Sequence, residues 1–338
     1  MAEAIAWALA EEQPLEVLGR GSKRGLGRPL QTAPGLGLGR LELIGLTGIT
    51  LYEPEELVLS ARAGTPLAEI EAALAEKRQA LAFEPPDLGP LLGGKAGQGS
   101  LGGAMACNLA GPRRFKAGAA RDHLLGFRAI SGRGEAFKSG GRVVKNVTGY
   151  DLSKLMAGSH GTLAALTEVT VKVLPAAEAE ATLALRGLDD MRALAAMTTA
   201  LVSPLDPSGA AHLPAAAAAK LTVDGLSGSG ALTALRLEGP QPSVAARAEA
   251  LTGLLGKLGT ATRLEAAASR ALWQAVRDVH PFVGAKEAQV WRVSLPPQAA
   301  VAFAATLSRL AVLGYFYDWG GGLVWLALPA AERDAHQR

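Results

Sequence analysis

Between Gly89 and Gly103, seven of fifteen residues are glycine, and the stretch from Gly99 to Leu174 continues with further glycine clusters, a basic loop and a Ser/Thr-rich turn. Glycine reaches dihedrals closed to other residues and lets a backbone approach a flat or phosphorylated ligand closely. The Gly89–Gly103 run lies between an extended segment, Leu81 to Phe83, and an Ala-Met-Ala helix. In that place it reads as a ligand loop and not as a linker, and it points to a large nucleotide.

A second glycine-rich turn lies near the start. Pro14 to Leu18 reads as a strand running into Gly19-Arg20-Gly21-Ser22-Lys23-Arg24-Gly25. A strand ending in such a turn can expose successive N–H groups as an anion-binding concavity. No Lys-Ser/Thr closes it, so it is not a P-loop. Gly27, Pro29 and Pro34 follow it, so it does not open the long helix of a dinucleotide fold. By spacing alone an ordinary surface turn is an equal reading.

The 338 residues predict two domains. With 49% hydrophobic and 19% charged residues the chain is a folded, globular one. Residues 3 to 12 predict a short helix, and Leu41 to Leu46, Ile49 to Tyr52 and Leu57 to Ala63 predict strands. Thr65-Pro66 predicts a helix start with Thr65 as N-cap, and Leu67, Ile70 and Leu74 continue it at helical spacing. After Pro175 the texture changes. Strands over 181–185, 232–237, 289–295 and 323–328 alternate with Ala/Leu-rich helices over 189–201, 243–255, 268–279 and 297–313. The segments 203–209 and 225–230 read as loops. The expected class is α+β, with one domain over 1–175 and a second over 176–338.

Net charge is +3, too small a balance to argue for nucleic acid. Cys107 is the one cysteine, which excludes an internal disulfide and a cysteine-ligated cluster or zinc site. No H-x-x-H or E-H pair suggests a metal. No basic region precedes an apolar run at the N-terminus, and no apolar run approaches the ~20 residues a bilayer span needs. The chain reads as cytoplasmic, with membrane attachment only through a partner.

The blocks Gly19 to Lys23, Gly99-Ser100-Leu101-Gly102-Gly103, Ala110-Gly111-Pro112-Arg113-Arg114, Ala120-Arg121-Asp122, Val144 to Leu152 (VKNVTGYDL) and Gly158 to Leu163 (GSHGTL) resemble the PCMH-type (vanillyl-alcohol oxidase-like) FAD-binding flavoproteins. Trp273 to Phe282 (WQAVRDVHPF), Trp291 to Pro296 (WRVSLP) and Asp318-Trp319-Gly320-Gly321 extend the resemblance over nearly the whole chain. Within these flavoproteins it is most similar to the E-subunit family of bacterial glycolate oxidases, more properly glycolate dehydrogenases.

The resemblance implies a two-lobed PCMH-type FAD-binding domain and a smaller α+β, ferredoxin-like cap whose C-terminal tail is shortened. It implies noncovalent FAD, because Ser22-Lys23 and Ala96-Gly97 stand where tethered members carry a histidine or a cysteine. Gly19, Arg20, Gly21, Ser22 and Lys23 would lie along the pyrophosphate, and Gly99, Ser100, Leu101, Gly102 and Gly103 along a second phosphate and ribityl loop. Gly158, Ser159, Gly161 and Thr162 would pack beside the flavin or adenosine end. Asn146, Gly149 and Tyr150 would lie near the isoalloxazine edge. Each block keeps a plain alternative: Lys145 a surface lysine, Asp151 the N-cap of a helix from Leu152 to Ala157, Tyr150 a core residue.

No catalytic residue is assigned, and the candidates are His160, Tyr150 and Arg113. His160 is either a proton-transfer group or the filler of a slot usually held by an aromatic residue. His280 reads as structural, and His123, His212 and His336 have no partner pattern. Arg113, Arg114 and Lys116 suit a substrate carboxylate, and Arg113 and Arg114 equally suit a partner subunit. The implied function is the FAD-binding subunit of a glycolate (2-hydroxy acid) dehydrogenase complex. It takes hydride itself or relays electrons, beside a catalytic flavoprotein subunit and an iron–sulfur subunit. A stand-alone oxidase or dehydrogenase of another alcohol or hydroxy acid, and a flavin-free structural subunit, are the alternatives.

Overall fold

The structure is a computed structural model, and residues 1–27, 37–141, 149–226, 230–285, 287–307 and 311–330 are described. Two compact units divide the chain. One is built from Met1–Gly111 and Ala117–Ala176, the other from Pro112–Lys116 and Ala177–Arg338.

The first unit begins with the helix Ala2–Ala10, which buries Ile5 and Ala8. Strand Leu15–Leu18 follows and pairs in parallel with Gly39–Glu42. A five-stranded antiparallel sheet forms the body, in the spatial order Ile49–Glu53, Val58–Arg62, Ala164–Lys172, Leu124–Ser131, Ala136–Gly140. Ser60 and Thr170, paired across its central strands, share a 2.8 Å hydroxyl hydrogen bond. Two helices cover the sheet. Leu67–Glu76 buries Leu67, Ile70 and Leu74, the three residues whose spacing predicts it. Leu101–Ala106 buries Leu101, Ala104 and Met105. These side chains join Leu59, Phe83, Phe127, Val169 and Val171 in one core. Each fully buried Leu or Ile contributes about 1.5–3 kcal/mol.

Two local expectations change and one alternative is found. Thr65 does not cap the second helix: Pro66 holds that position without a side-chain bond. The Thr65 hydroxyl instead donates to Arg62 O at 2.7 Å and accepts from Gly48 N at 3.0 Å, tying two turns together. The extended segment expected over Leu81 to Phe83 is a turn, and the strand lies earlier, at Gln79–Ala80, paired with Leu174–Pro175. Asp151 does cap Leu152–Met156, accepting from Lys154 N at 3.2 Å.

The second unit is built on a seven-stranded antiparallel sheet. Its spatial order is Thr260–Leu264, Ala179–Arg186, Leu232–Gly239, Gly209–Leu213, Gly314–Asp318, Leu323–Pro329, Ala288–Ser294. Helices Asp190–Leu201 and Gln241–Leu255 pack with Ala181, Leu183, Leu185, Leu235 and Leu237 of two strands. These are alternate residues, as the period of two in a strand demands. The intervening Thr182 accepts from the Trp273 indole N–H of helix Ala266–Arg277 at 2.8 Å. Gly209 lets that indole close in, since a Cβ there would stand 2.8 Å from the ring. The helix expected over 297–313 starts later, as Ala300–Thr306, because a 3-10 turn at Pro297–Ala299 precedes it, and residues 308–310 of the expected span lie outside the described residues. The loop expected over 203–209 ends one residue earlier, because Gly209 begins the strand GAAHL, buried at every position, which has no alternation to betray it.

Candidate cofactor cradle

Strand Leu15–Leu18 delivers the first glycine turn. Gly21, at φ +72°, needs the freedom of glycine. The turn is closed by a two-pronged ion pair. Arg24 Nε and Nη2 donate to Glu16 Oε1 and Oε2 at 2.8 and 2.9 Å, and Glu16 is buried. Within the turn, Arg24 N donates to Gly21 O and Leu26 N to Lys23 O. Among the described residues the N–H groups of Gly19 to Lys23 donate to nothing.

The second glycine turn meets the first. A Cβ on Gly19 would stand 2.8 Å from Ser100 Oγ, and a Cβ on Gly103 would stand 3.5 Å from Lys23 Nζ. Ser100 caps the helix Leu101–Ala106, accepting from Gly103 N at 3.3 Å. Leu101 N and Gly102 N are already engaged with Thr65 O and Ala63 O, and Leu101 lies in the core. These two residues therefore anchor the loop. Upstream, Asp87 braces the glycine run by accepting from Gly89 N at 3.2 Å and Gly97 N at 2.6 Å. Its Asp-x-Gly spacing is an Asx-turn signal in the sequence.

Lys23 lies between the turns, with Nζ 3.3 Å from Ser22 Oγ. Burial pushes its ammonium below the usual lysine range, and Cys107 and Asp87 pull it part of the way back. Burial pushes the Cys107 thiol up, partly offset by Lys23. Cys107 is a half-buried neighbour of the cradle.

The Gly158–Thr162 turn belongs to the same unit. Gly158 N donates to Met105 O and His160 N to Ala106 O, at 3.1 and 2.8 Å. A Cβ on Gly158 would stand 3.3 Å from Asn108 Cβ, and one on Gly161 3.5 Å from Val17 Cβ. The Thr162 hydroxyl donates to Ser159 O at 2.6 Å. Helix Leu101–Ala106 thus links the second and third glycine turns, and Val17 links the third to the strand that carries the first. A cavity of about 380 Å³ opens beside this third turn, lined by Ile5, Val17, Leu41, Ile130, Gly161 and Thr162 among others.

The other candidates fall out differently. His160 is exposed and holds a left-handed φ of +52°, with its backbone rather than its ring engaged. Tyr150 is 90% exposed, which removes the core alternative for it. Gly149, at φ +79°, is exposed beside it. Asn146, with Lys145, lies outside the described residues. Arg113 belongs to the second unit, where its Nε donates to Glu238 Oε2 at 2.8 Å and its Nη2 reaches Oε1. Burial alone would raise the Glu238 pKa, but Arg236, Arg113 and the Ser208 hydroxyl hold that carboxyl below its usual range. Among the described residues no group of His, Cys, Asp and Glu could hold a metal ion.

Unengaged amides, a half-buried ammonium and glycines where side chains would collide are the parts of a site for a phosphate-bearing ligand. FAD fits this donor set through its pyrophosphate.

The FAD binding domain family matches residues 1–140. Solved structures share the fold. Alkyldihydroxyacetonephosphate synthase superposes with a TM-score of 0.69 at 16% identity, over 96% of this chain and 64% of that one. p-Cresol methylhydroxylase with substrate bound superposes with a TM-score of 0.72 at 12% identity, over 97% and 72%. The protein is thus of the PCMH-type FAD-binding class, an α+β flavoprotein and an oxidoreductase. Glycolate oxidase subunit GlcE of Escherichia coli (strain K12) is 35% identical over 335 residues, 99% of this chain and 82% of that subunit. The chain belongs to the glycolate oxidase subunit GlcE family. Glycolate oxidase subunit GlcD of Bacillus subtilis (strain 168) is 39% identical over 84 residues, 25% of this chain and 18% of GlcD.

Proposed function

We propose that this chain is the FAD-binding subunit of a glycolate (2-hydroxy acid) dehydrogenase complex and holds its FAD noncovalently. The observation that carries the reading is the meeting of the Gly19–Lys23 and Gly99–Gly103 turns around Lys23, in a chain of the GlcE family. The free amides of Gly19 to Lys23, the Ser22 hydroxyl and the Lys23 ammonium would hold the pyrophosphate. Gly99, Ser100 and Gly103 would close on it from the second turn, and Gly158 to Thr162 would border the cofactor at the third. Bound FAD supplies a ring that accepts hydride from an alcohol carbon.

This chain's own contribution is to bind and orient. Leu101 and Gly102 fix the second turn to the core, Asp87 braces the glycine run, and the Glu16–Arg24 pair holds the first turn closed. A single cysteine cannot ligate an iron–sulfur cluster, so electrons leave for a partner that carries one, beside a catalytic flavoprotein subunit. No helix among the described residues is long and apolar enough to cross a membrane. The proposed place is the cytoplasm, with membrane attachment through a partner.

Reconstitution tests the reading. The chain is assayed for glycolate-dependent dye reduction alone and with a GlcD-type flavoprotein and an iron–sulfur subunit. The expected result is turnover that depends on the full set. Equal turnover by the chain alone would replace the subunit reading with a self-sufficient oxidase.

A further inference from the structure

In the second unit, Asp318-Trp319-Gly320-Gly321 ends one strand in a strained corner. Trp319 holds a left-handed φ of +54°, and Gly320 and Gly321 follow at +64° and +98°. An L residue is rarely held in that region, and such strain persists only where the surroundings over-determine it. Here the buried Asp318 carboxylate accepts from Trp319 N at 2.7 Å and fixes the corner.

The indole so placed sits under two arginines. Arg114 Cζ lies 4.5 Å and Arg292 Cζ 5.0 Å from its ring centroid. Each contact is a favourable cation–π interaction, but together they bring two like charges to one ring. Burial of its charged end pushes the Arg292 guanidinium below the usual arginine range although the residue as a whole is exposed, the Arg114 charge pushes it further, and Asp318 offsets part of this. The two neighbouring basic residues are differently placed: Arg113 is paired with Glu238, and Lys116 with Asp206 at 2.5 Å. Neither Arg114 nor Arg292 forms an ion pair or donates a hydrogen bond to a described residue, and Arg292 is exposed.

We propose that Arg114, Arg292 and Trp319 form a binding site for a small carboxylate. A guanidinium presents a planar fork of N–H donors that matches a carboxylate's two oxygens. Two such forks over one ring leave one net positive charge once Asp318 is counted, which one carboxylate neutralises. The buried indole holds the two guanidiniums in place beside each other. The choice of a 2-hydroxy acid as ligand rests on the proposed function, whereas the site itself does not. It names Arg114, and not Arg113, as the residue of the basic loop that meets the substrate.

The test is protection from phenylglyoxal. The full chain loaded with FAD is labelled with and without oxalate or glycolate, and modified arginines are mapped by peptide mass spectrometry. The expected result is saturable protection of Arg114 and Arg292 by oxalate and glycolate, with sulfate at equal ionic strength at least tenfold less effective. A parallel titration follows Trp319 emission, assigned by difference from W319F. R114Q and R292Q should each weaken oxalate binding at least tenfold, R114K and R292K less, and K116Q not at all. Unprotected arginines, or protection by sulfate at the same concentration, would overturn the proposal. Flavin absorbance is recorded on every sample, so loss of carboxylate binding with the flavin bands intact fails this inference alone. Protection in a chain that takes up no FAD fails the cofactor reading alone.

Discussion

Gly19 and Ser100 meet so closely that a methyl group on Gly19 would stand 2.8 Å from the Ser100 hydroxyl oxygen. The two residues are far apart in sequence and belong to the two glycine turns of the proposed cradle. Their contact is therefore a direct probe of whether the turns act as one site. G19A should weaken FAD binding about tenfold, or ~1.4 kcal/mol, by prying the turns apart. G19A/S100A, which removes the colliding oxygen but also the Ser100 helix cap, should recover part of that loss. Fluorescence titration of FAD into the deflavinated chain measures both.

Lys23 should couple cofactor binding to pH. Burial holds its pKa below the ordinary 10.5, so the folded apo-protein binds fewer protons than the unfolded chain between the two values. Stability gains with pH where the unfolded state binds more protons. The Lys23 penalty is thus fully present below the lowered folded value and is relieved as pH rises from there toward 10.5. K23M should melt higher than wild type at neutral pH without FAD, show a flatter rise of Tm toward alkaline pH, and bind FAD at least tenfold more weakly. A K23M variant that binds FAD as wild type does would remove Lys23 from the cradle.

Gly102 has a packing role. A Cβ there would stand 2.6 Å from Ala63 Cβ and 2.7 Å from Ala63 O. G102A should cost about 1–3 kcal/mol of stability, as overpacking of a tight core does. G97A is not a fair control, since Gly97 sits at φ +72°. G132A, at a position with no atom within 4 Å, is the better one and should leave denaturant midpoints unchanged.

Asp190 ties the second unit together. Its carboxylate meets His212 Nε2 at 3.3 Å and accepts from the Tyr315 and Tyr317 hydroxyls at 2.7 Å each. Burial alone would raise its pKa, but these bonds hold it below the ordinary 3.8. The stability it contributes is present above 3.8 and is lost as pH falls through the lower folded value. D190N should destabilise the chain by about 1–3 kcal/mol at neutral pH and lose that acid limb, read by urea unfolding at several pH values.

The glycine punctuation and the helical spacing of Leu67, Ile70 and Leu74 made the first unit largely legible from its residues. Strands buried on every residue were harder, because GAAHL at Gly209–Leu213 carries neither alternation nor bulky side chains. The division of labour inside Gly99–Gly103 was not legible either. A motif cannot tell the amides of Leu101 and Gly102, engaged with Thr65 and Ala63, from those left open. The same limit separates Arg113 from Arg114. Adjacent in sequence and alike in type, they differ only in what distant segments place opposite them: Glu238 of a strand for one, Trp319 of a corner for the other.

The absorption spectrum of the purified chain, before and after acid precipitation, tests the central claim most directly. Flavin bands near one equivalent per chain, with FAD released into the supernatant, are the predicted result. A colourless chain that takes up no added FAD would contradict it, and yellow colour retained in the pellet would contradict noncovalent attachment.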